Sequence, residues 1–194
     1  MSLNRSIGVD WHSTNYTSLN NSDIHKLPFS AGGGTGIELG FGKYFTSRFS
    51  LSGSVGYRQI LAFKFENANG VSNKSSVSFN YKMLTAGLNY AIYKSEKLLE
   101  EVSLGGMVIY SDAGKLRIIE DQKRIALDRF DNSYGWQLHT NFILNLFSKT
   151  SLKGETAIAY RSVNFKNSET NHAPRYGELN GQGINFSFGL RKYF

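Results

Sequence analysis

Hydrophobic and polar residues alternate along most of the chain, and the pattern is clearest over residues 46–65. One face of this stretch carries Phe49, Leu51, Val55 and Tyr57, whereas the residues between them are mostly serine and glycine. Side chains alternate between the two faces of a β-strand, so a period of two residues predicts a strand with unlike faces. The face that points inward decides between a soluble barrel and a membrane barrel.

The same alternation predicts eight strands, at about residues 3–11, 35–45, 49–65, 77–92, 102–110, 136–146, 152–161 and 183–194. Short and long connections alternate between them, so the two kinds lie at opposite ends. The short connections are 46–48, 94–101 and 148–150, and the long ones are 12–34, 66–76, 111–124 and 166–179. We therefore predict a single domain over residues 1–194, an all-β, eight-stranded antiparallel up-and-down barrel. In the fourth strand the apolar phase changes between Met83 and Leu84, which predicts a β-bulge.

The composition of the two faces indicates which one points inward. The polar face is mostly Ser, Gly and Asn with few charges, which suits a crowded interior better than a solvent-exposed surface. The other face carries about a dozen Phe, Tyr and Trp rings, and the interior of an eight-stranded barrel is only just wide enough for side chains to fill it. The apolar face is therefore predicted to lie against lipid, which makes this a transmembrane β-barrel. A soluble, lipocalin-like barrel with its apolar face inside is the alternative.

Composition argues against several other classes of protein. The chain has no Cys, so it forms neither disulfides nor a thiolate metal site. It has no run of about eighteen apolar residues that would form a transmembrane helix. The net charge is +7, but the basic residues do not form a stripe with stacking aromatic residues, so nucleic acid is not an expected partner. We expect a monomer with no cofactor and no metal, and we interpret Met1 as standing in place of a removed signal peptide.

The last residues, INFSFGLRKYF, alternate outward aromatic side chains and finish on Phe194. This segment resembles the C-terminal signal by which bacterial outer-membrane proteins are recognised for insertion, with Phe186, Phe188, Leu190 and Phe194 as its outward residues. Together with the eight strands, it makes nearly the whole chain resemble the small Gram-negative outer-membrane barrels of the OmpA transmembrane domain and OmpX type. The resemblance is one of pattern, without a shared motif. It implies location in the outer membrane, contact with its lipid and lipopolysaccharide, and recognition by the barrel-insertion machinery. We expect the long loops outside the cell and both termini in the periplasm.

Charged residues on the polar face need partners if that face is the barrel interior. The inward phase includes Glu38, Arg58, Lys82, His139, Lys153, Glu155 and Arg161. The turn at 46–48 places Gly36 opposite Arg58, which makes Glu38 a diagonal neighbour of Arg58 within reach of a salt bridge. An unpaired buried charge costs several kcal/mol, so we predict an ion-pair network that plugs the barrel. The alternative is a proton or ion path.

The third long connection contains the basic residues Lys115, Arg117, Lys123, Arg124 and Arg129. They can attract lipopolysaccharide phosphates, or they can belong to a solvated hairpin of mixed charge, which the interleaved acidic residues favour. The same segment is rich in β-prone residues. We therefore predict that the fifth and sixth strands continue as a twisted hairpin above the barrel rim, over about residues 115–129. Such a hairpin offers an edge with which a partner can pair.

Two hypotheses of function follow from these patterns. The first is a structural or surface-interaction barrel whose long extracellular loops meet a protein partner. The second is a lipid A-modifying or small-ligand-binding barrel. The lipid A deacylases place a His and a Ser two residues apart, followed by Asn, late in the barrel. Here YRSVNFKN offers Asn164 and Lys166 before Asn167, so the base and the nucleophile are missing and we expect no enzyme.

Overall fold

A computed structural model describes the backbone except at residues 1, 11–13, 18–23, 28–33, 67–71, 121–122, 147–149, 167–177, 180 and 194. Side chains are described for residues 34–61, 78–117, 129–146, 150–166, 179 and 181–193. All regular structure in these residues is β-strand, and the described residues include no helix long and apolar enough to cross a membrane.

The described residues form fourteen strands, which follow one another along the chain. The first seven are β1 (Ser2–Asp10), β2 (Thr14–Thr17), β3 (Ile24–Leu27), β4 (Gly34–Tyr44), β5 (Phe49–Glu66), β6 (Ser72–Lys94) and β7 (Leu99–Ala113). The other seven are β8 (Lys115–Glu120), β9 (Lys123–Arg129), β10 (Ser133–Leu144), β11 (Leu152–Val163), β12 (Phe165–Lys166), β13 (Glu178–Leu179) and β14 (Gly183–Lys192).

Eight of these strands close into a barrel. They pair in the order β5-β4-β1-β14-β11-β10-β7-β6, and β5 pairs with β6 to complete the ring. Every pairing is antiparallel, and the first and last strands meet between Ser2 and Arg191. The prediction of an eight-stranded antiparallel up-and-down barrel is confirmed. The short connections and the last strand's end lie at one rim, which we call the short-turn rim, and the long connections lie at the opposite rim.

The register of β4 and β5 follows from their tight turn. Backbone Phe45 N and Thr46 N both donate to Phe49 O, and the resulting pairing places Gly36 opposite Arg58, as predicted. The predicted bulge between Met83 and Leu84 is wrong. Alternation in β6 continues unbroken there, with Met83 buried and Leu84 exposed, and the register of β6 shifts instead between Ala91 and Tyr93 against β7. The apparent change of phase arises because the upper part of β6 turns its apolar residues inward.

The barrel exterior is apolar, and the part of the interior near the short-turn rim is polar. Large hydrophobic side chains such as Phe41, Val55, Val108 and Leu138 are exposed around the ring, with Val108 67% exposed. Buried positions between them carry serine, threonine, asparagine and charged groups. Lipid, unlike water, solvates such an exterior without cost, so this distribution is that of a transmembrane barrel. The outward assignment of the apolar face is confirmed.

The predicted hairpin above the rim is present. Strand β8 pairs with β9 between Lys115 and Arg129, and β8 also pairs with the part of β6 that extends beyond the barrel. The extended ends of β5 and β6 pair with each other up to Glu66 and Ser72. Together, the extensions of β5 and β6 with β8 and β9 form a four-stranded sheet above the long-connection rim, which we call the projecting sheet. Its edge strand, β9, pairs only with β8 within the described residues.

Candidate functional site

The end of the barrel interior next to the long connections is filled by apolar side chains, which we call the apolar plug. The plug consists of Ile60, Phe79, Tyr81, Met83, Ile109, Leu116, Phe130, Val163, Phe165 and Leu179. The Phe79 ring lies 5.2 Å from the Phe165 ring and 5.7 Å from the Phe130 ring, centroid to centroid, in edge-to-face geometry. The predicted polar interior therefore does not extend to this end of the barrel. The apolar phase that continues inward along β6 builds a dry closure at this end.

Below the plug, a chain of polar contacts crosses the barrel through Glu38. Its carboxylate lies 3.7 Å from Arg161 Nη2 on the opposite wall and accepts a hydrogen bond from Ser54. Ser54 Oγ is also 2.7 Å from Thr85 Oγ1. Arg161 donates from Nε and Nη2 to Gln137 Oε1, at 2.9 and 2.6 Å. These contacts join β4, β5, β6, β10 and β11 across the interior.

Two members of the predicted network, Arg58 and Lys82, lie on opposite faces of the barrel wall. Arg58 is fully buried and donates to Asn185, on β14, and the ion pair that the structure gives Glu38 is with Arg161. Lys82 was predicted to point inward, and this is wrong because its side chain is exposed. The predicted bulge would have reversed the faces of β6 at this point, whereas the continuous alternation turns Lys82 outward between the buried Tyr81 and Met83.

His139 lies buried in the middle of the interior, on β10. Its Nε2 is 2.6 Å from Asn89 Oδ1, and Asn89 Nδ2 donates to Ser52 Oγ at 2.7 Å. Its other ring nitrogen, Nδ1, is buried without a hydrogen-bond partner among the described residues. The facing position on β7 is Gly105, and a methyl group there would overlap both Asn89 Oδ1 and His139 Nε2. The glycine is thus what lets the two side chains meet.

A second group of ion pairs lies at the short-turn rim. Lys153 and Glu155, two residues apart on β11, take different partners: Lys153 Nζ is 2.9 Å from Glu100 Oε2, and Glu155 pairs with Arg191. Glu101 accepts from the Tyr44 hydroxyl at 2.6 Å and lies 3.3 Å from Lys94 Nζ. Tyr193, just beyond the last strand at this rim, has its pKa raised above the usual tyrosine range by burial.

Sequence reasoning missed several of these residues, among them Glu101, Tyr44, Arg191, Gln137 and Asn185. Four of them continue the inward phase of predicted strands, so the alternation placed them inside, whereas Glu101 was predicted to lie in the connection 94–101. The alternation does not indicate which side chain each of them contacts across the barrel. That contact depends on the stagger of strands that are far apart in the chain.

Between the plug and the short-turn rim lies an internal chamber of about 330 Å³. Small residues such as Gly40, Ser52, Ala157 and Ser187 line its walls and leave the space open. Arg58, Arg161 and His139 line its inner part, and the exposed Lys43 and Lys192 line its mouth at the short-turn rim. The interior is thus a polar pocket closed at one end, and the apolar plug separates it from the long-connection rim. No three His, Cys, Asp or Glu side chains cluster as metal ligands in the described part of the chain.

The remaining predicted site residues lie elsewhere. Phe186, Phe188 and Leu190 are exposed on the barrel exterior, and Phe194 lies outside the described residues. Lys115, Arg117 and Arg129 are exposed on the hairpin, whereas the side chains of Lys123 and Arg124 are outside the described set. The other three histidines, in the first and last long connections, also lie outside it.

The geometry defines a class of protein: a small, closed transmembrane β-barrel with a lipid-facing apolar exterior and a plugged interior. No protein-family model matches the chain, and no curated protein matches it. Among solved structures, the chain is similar to Ail, the attachment invasion locus protein of Yersinia pestis, whose structure was solved in complex with the heparin analogue sucrose octasulfate. The two chains are 15% identical with a TM-score of 0.47, and the match covers 100% of this chain and 98% of Ail. This chain is also similar to Neisserial surface protein A (NspA), at 14% identity and a TM-score of 0.46, covering 100% and 96%. Likenesses this weak carry no argument about what this chain does.

Proposed function

We propose that the chain is a monomeric outer-membrane barrel that holds a β-sheet above the membrane as a docking surface for a protein partner. Barrel strands span the lipid, the apolar plug blocks passage, and the projecting sheet supplies the surface. The observation that carries the proposal is the projecting sheet, in which β8 is paired on both sides and β9 pairs with β8 alone among the described residues.

The physical basis is strand addition. A β-strand at the edge of a sheet exposes a row of N–H and C=O groups that another chain can pair with. Partners that bind in this way gain main-chain hydrogen bonds along the whole edge, and side chains supply the specificity. Strand β9 is seven residues long, which is sufficient for such pairing.

The basic residues of the hairpin have a secondary place in this proposal. Exposed Lys115, Arg117 and Arg129 lie near the rim, where lipopolysaccharide phosphates are found if the long connections face outward. Acidic residues interleave with them along the hairpin, so any attraction is modest and falls with salt. The barrel exterior itself contacts lipid, and its strands are those that the insertion machinery would assemble.

Orientation is tested first. Protease added to intact cells should cut within the long connections 12–34, 66–76, 111–124 and 166–179, at residues outside the paired strands, and both termini should be protected. Cleavage confined to 46–48, 94–101 and 148–150 would reverse the orientation and place the projecting sheet in the periplasm.

Docking is tested by photocrosslinking in living cells. A crosslinking amino acid at Ala126, in the middle of β9, should give a discrete adduct, and the same amino acid at Ser47, in a short turn, should not. With the crosslinking amino acid moved to Arg129, at the end of β9, the intact hairpin should also give an adduct, and replacing residues 117–127 by a tight turn should remove it and leave the barrel folded. Absence of any β9-specific adduct in cells that expose the hairpin would contradict the docking role.

A further inference from the structure

We infer that the internal chamber is a binding site for a small phosphate-type anion, which enters from the short-turn rim. The inference is independent of the docking role proposed for the projecting sheet at the opposite end. It depends on three observations: the empty space, the charge of its lining, and one buried polar atom without a partner.

The space results from the sequence of the inward face. An eight-stranded barrel normally has just enough interior for its own side chains. Here Gly40, Ser52, Ala157 and Ser187 take positions where larger residues would fill the lumen. The resulting volume of about 330 Å³ lies within the range of about 300–1,000 Å³ found for small-molecule sites. It far exceeds what an inorganic phosphate requires, and leaves room for a small organic phosphate or accompanying water.

The chamber lining carries a net positive charge, both at its mouth and in its inner part. Its charged residues are Lys43, Arg58, Arg161, Arg191 and Lys192, against Glu38 and Glu155, a difference of five minus two, or +3. Both carboxylates have a guanidinium partner, because Glu38 pairs with Arg161 and Glu155 with Arg191. A concave site lined by one sign of charge and walled by a low dielectric raises the local concentration of oppositely charged ligands. The exposed lysines at the mouth and the arginines inside therefore favour an anion.

The unpartnered ring nitrogen of His139 indicates which anion fits the chamber best. His139 is 6% exposed and lines the chamber, and its Nδ1 has no partner among the described residues. Because Nε2 faces the carbonyl oxygen of Asn89, Nε2 carries the hydrogen, and a neutral ring presents a lone pair at Nδ1. Hydrogen phosphate has both a hydroxyl to donate to this lone pair and anionic oxygens for arginine. Sulfate and simple carboxylates lack the hydroxyl at neutral pH.

The test is a titration of the full-length protein, refolded in detergent and selectively labelled with ¹⁵N-histidine. Inorganic phosphate should shift the His139 ring nitrogens in a saturable way, and sulfate at equal ionic strength should shift them much less. Glycerol 3-phosphate, run in parallel at about pH 6, where a large share of its phosphate groups keeps one hydroxyl, distinguishes a site for free phosphate from one for a phosphomonoester such as a lipid headgroup fragment. Tighter binding of either probe identifies the source of the ligand.

Three variants distinguish a site in the chamber from surface binding. Ala157→Met places a larger side chain in the chamber and should weaken binding at least about tenfold, whereas Ile158→Met, one residue further on the lipid face, should leave it unchanged. Lys43→Gln with Lys192→Gln at the mouth should weaken binding about threefold at low salt and less at high salt. Circular dichroism confirms that each variant has folded as a barrel.

The inference is overturned by any of three results. These are no saturable His139 shift at millimolar phosphate, an equal response to sulfate, or unchanged binding in folded Ala157→Met. Absence of a β9-specific adduct from the unaltered hairpin, in protein that binds phosphate, would contradict the docking proposal alone.

Discussion

Replacing Glu38 by Gln tests whether the interior network stabilises the barrel. The substitution keeps the volume of the side chain and its capacity to accept from Ser54, but removes the charge that faces Arg161 Nη2 at 3.7 Å. The Arg161 side chain is 3% exposed, so its charge has little access to water after the substitution. Removing one partner of a buried ion pair costs about 3–5 kcal/mol. Glu38 borders the chamber and is 17% exposed, so we expect a loss near the lower end, about 3 kcal/mol.

The matched control is Glu100→Gln at the short-turn rim. Glu100 also pairs with a cation, Lys153 Nζ at 2.9 Å, but its side chain is 30% exposed. Water screens such a pair, and the expected loss is below about 1 kcal/mol. The double variant Glu38→Gln with Arg161→Met removes both charges of this ion pair and should recover part of the loss, because Arg161 is no longer left buried without its carboxylate.

The assay is reversible urea unfolding of each variant in lipid vesicles, followed by tryptophan fluorescence. Equal losses for Glu38→Gln and Glu100→Gln would show that Glu38 is effectively solvated. A double-mutant cycle with no coupling between Glu38 and Arg161 would refute the claim that the two charges stabilise one another across the barrel.

Three further outcomes are expected. Val55→Arg places a charge on the lipid face and should cost about 2–4 kcal/mol in vesicles, while Val55→Leu should be nearly neutral; equal stability of the two variants would place this residue away from lipid. Gly105→Ala forces Asn89 away from His139 and should cost about 1–3 kcal/mol in the same assay, and no loss would mean that the two side chains do not meet. Backbone amides over residues 115–129 should be protected in hydrogen-exchange mass spectrometry, whereas free exchange would show that the projecting hairpin does not form.

The fold could be predicted because strand geometry is strictly local. A period of two assigns each residue to one of two faces, and the lengths of the connections then order the strands. Tight turns determine register as well, which is why the pairing of Gly36 with Arg58 follows from the turn at 46–48. The hairpin over 115–129 was predictable for the same reason, since its two β-prone runs flank a short run of polar residues.

The interior was less predictable, because its contacts join strands far apart in the sequence. Phe79, Tyr81 and Met83 look like lipid-facing residues in isolation, and the assumption that apolar means outward led to a bulge that does not exist. The same assumption led to the incorrect prediction that the Lys82 side chain points inward. The pairing of Glu38 with Arg161 and the chamber beside them depend on closure and stagger of the whole barrel, which a single strand does not encode.

The central claim, that the barrel is apolar outside and polar inside, is tested most directly by site-directed spin labelling in lipid bilayers. The chain contains no Cys, so single cysteines can be introduced without background. Labels at the outward positions Leu88 and Val108 should collide readily with lipid-soluble oxygen and rarely with a water-soluble nickel complex. Labels at the inward positions Ser103 and Ala159 should be shielded from oxygen in the bilayer. Nickel-accessible, oxygen-protected labels at Leu88 and Val108, in protein that stays monodisperse without detergent, would contradict the account.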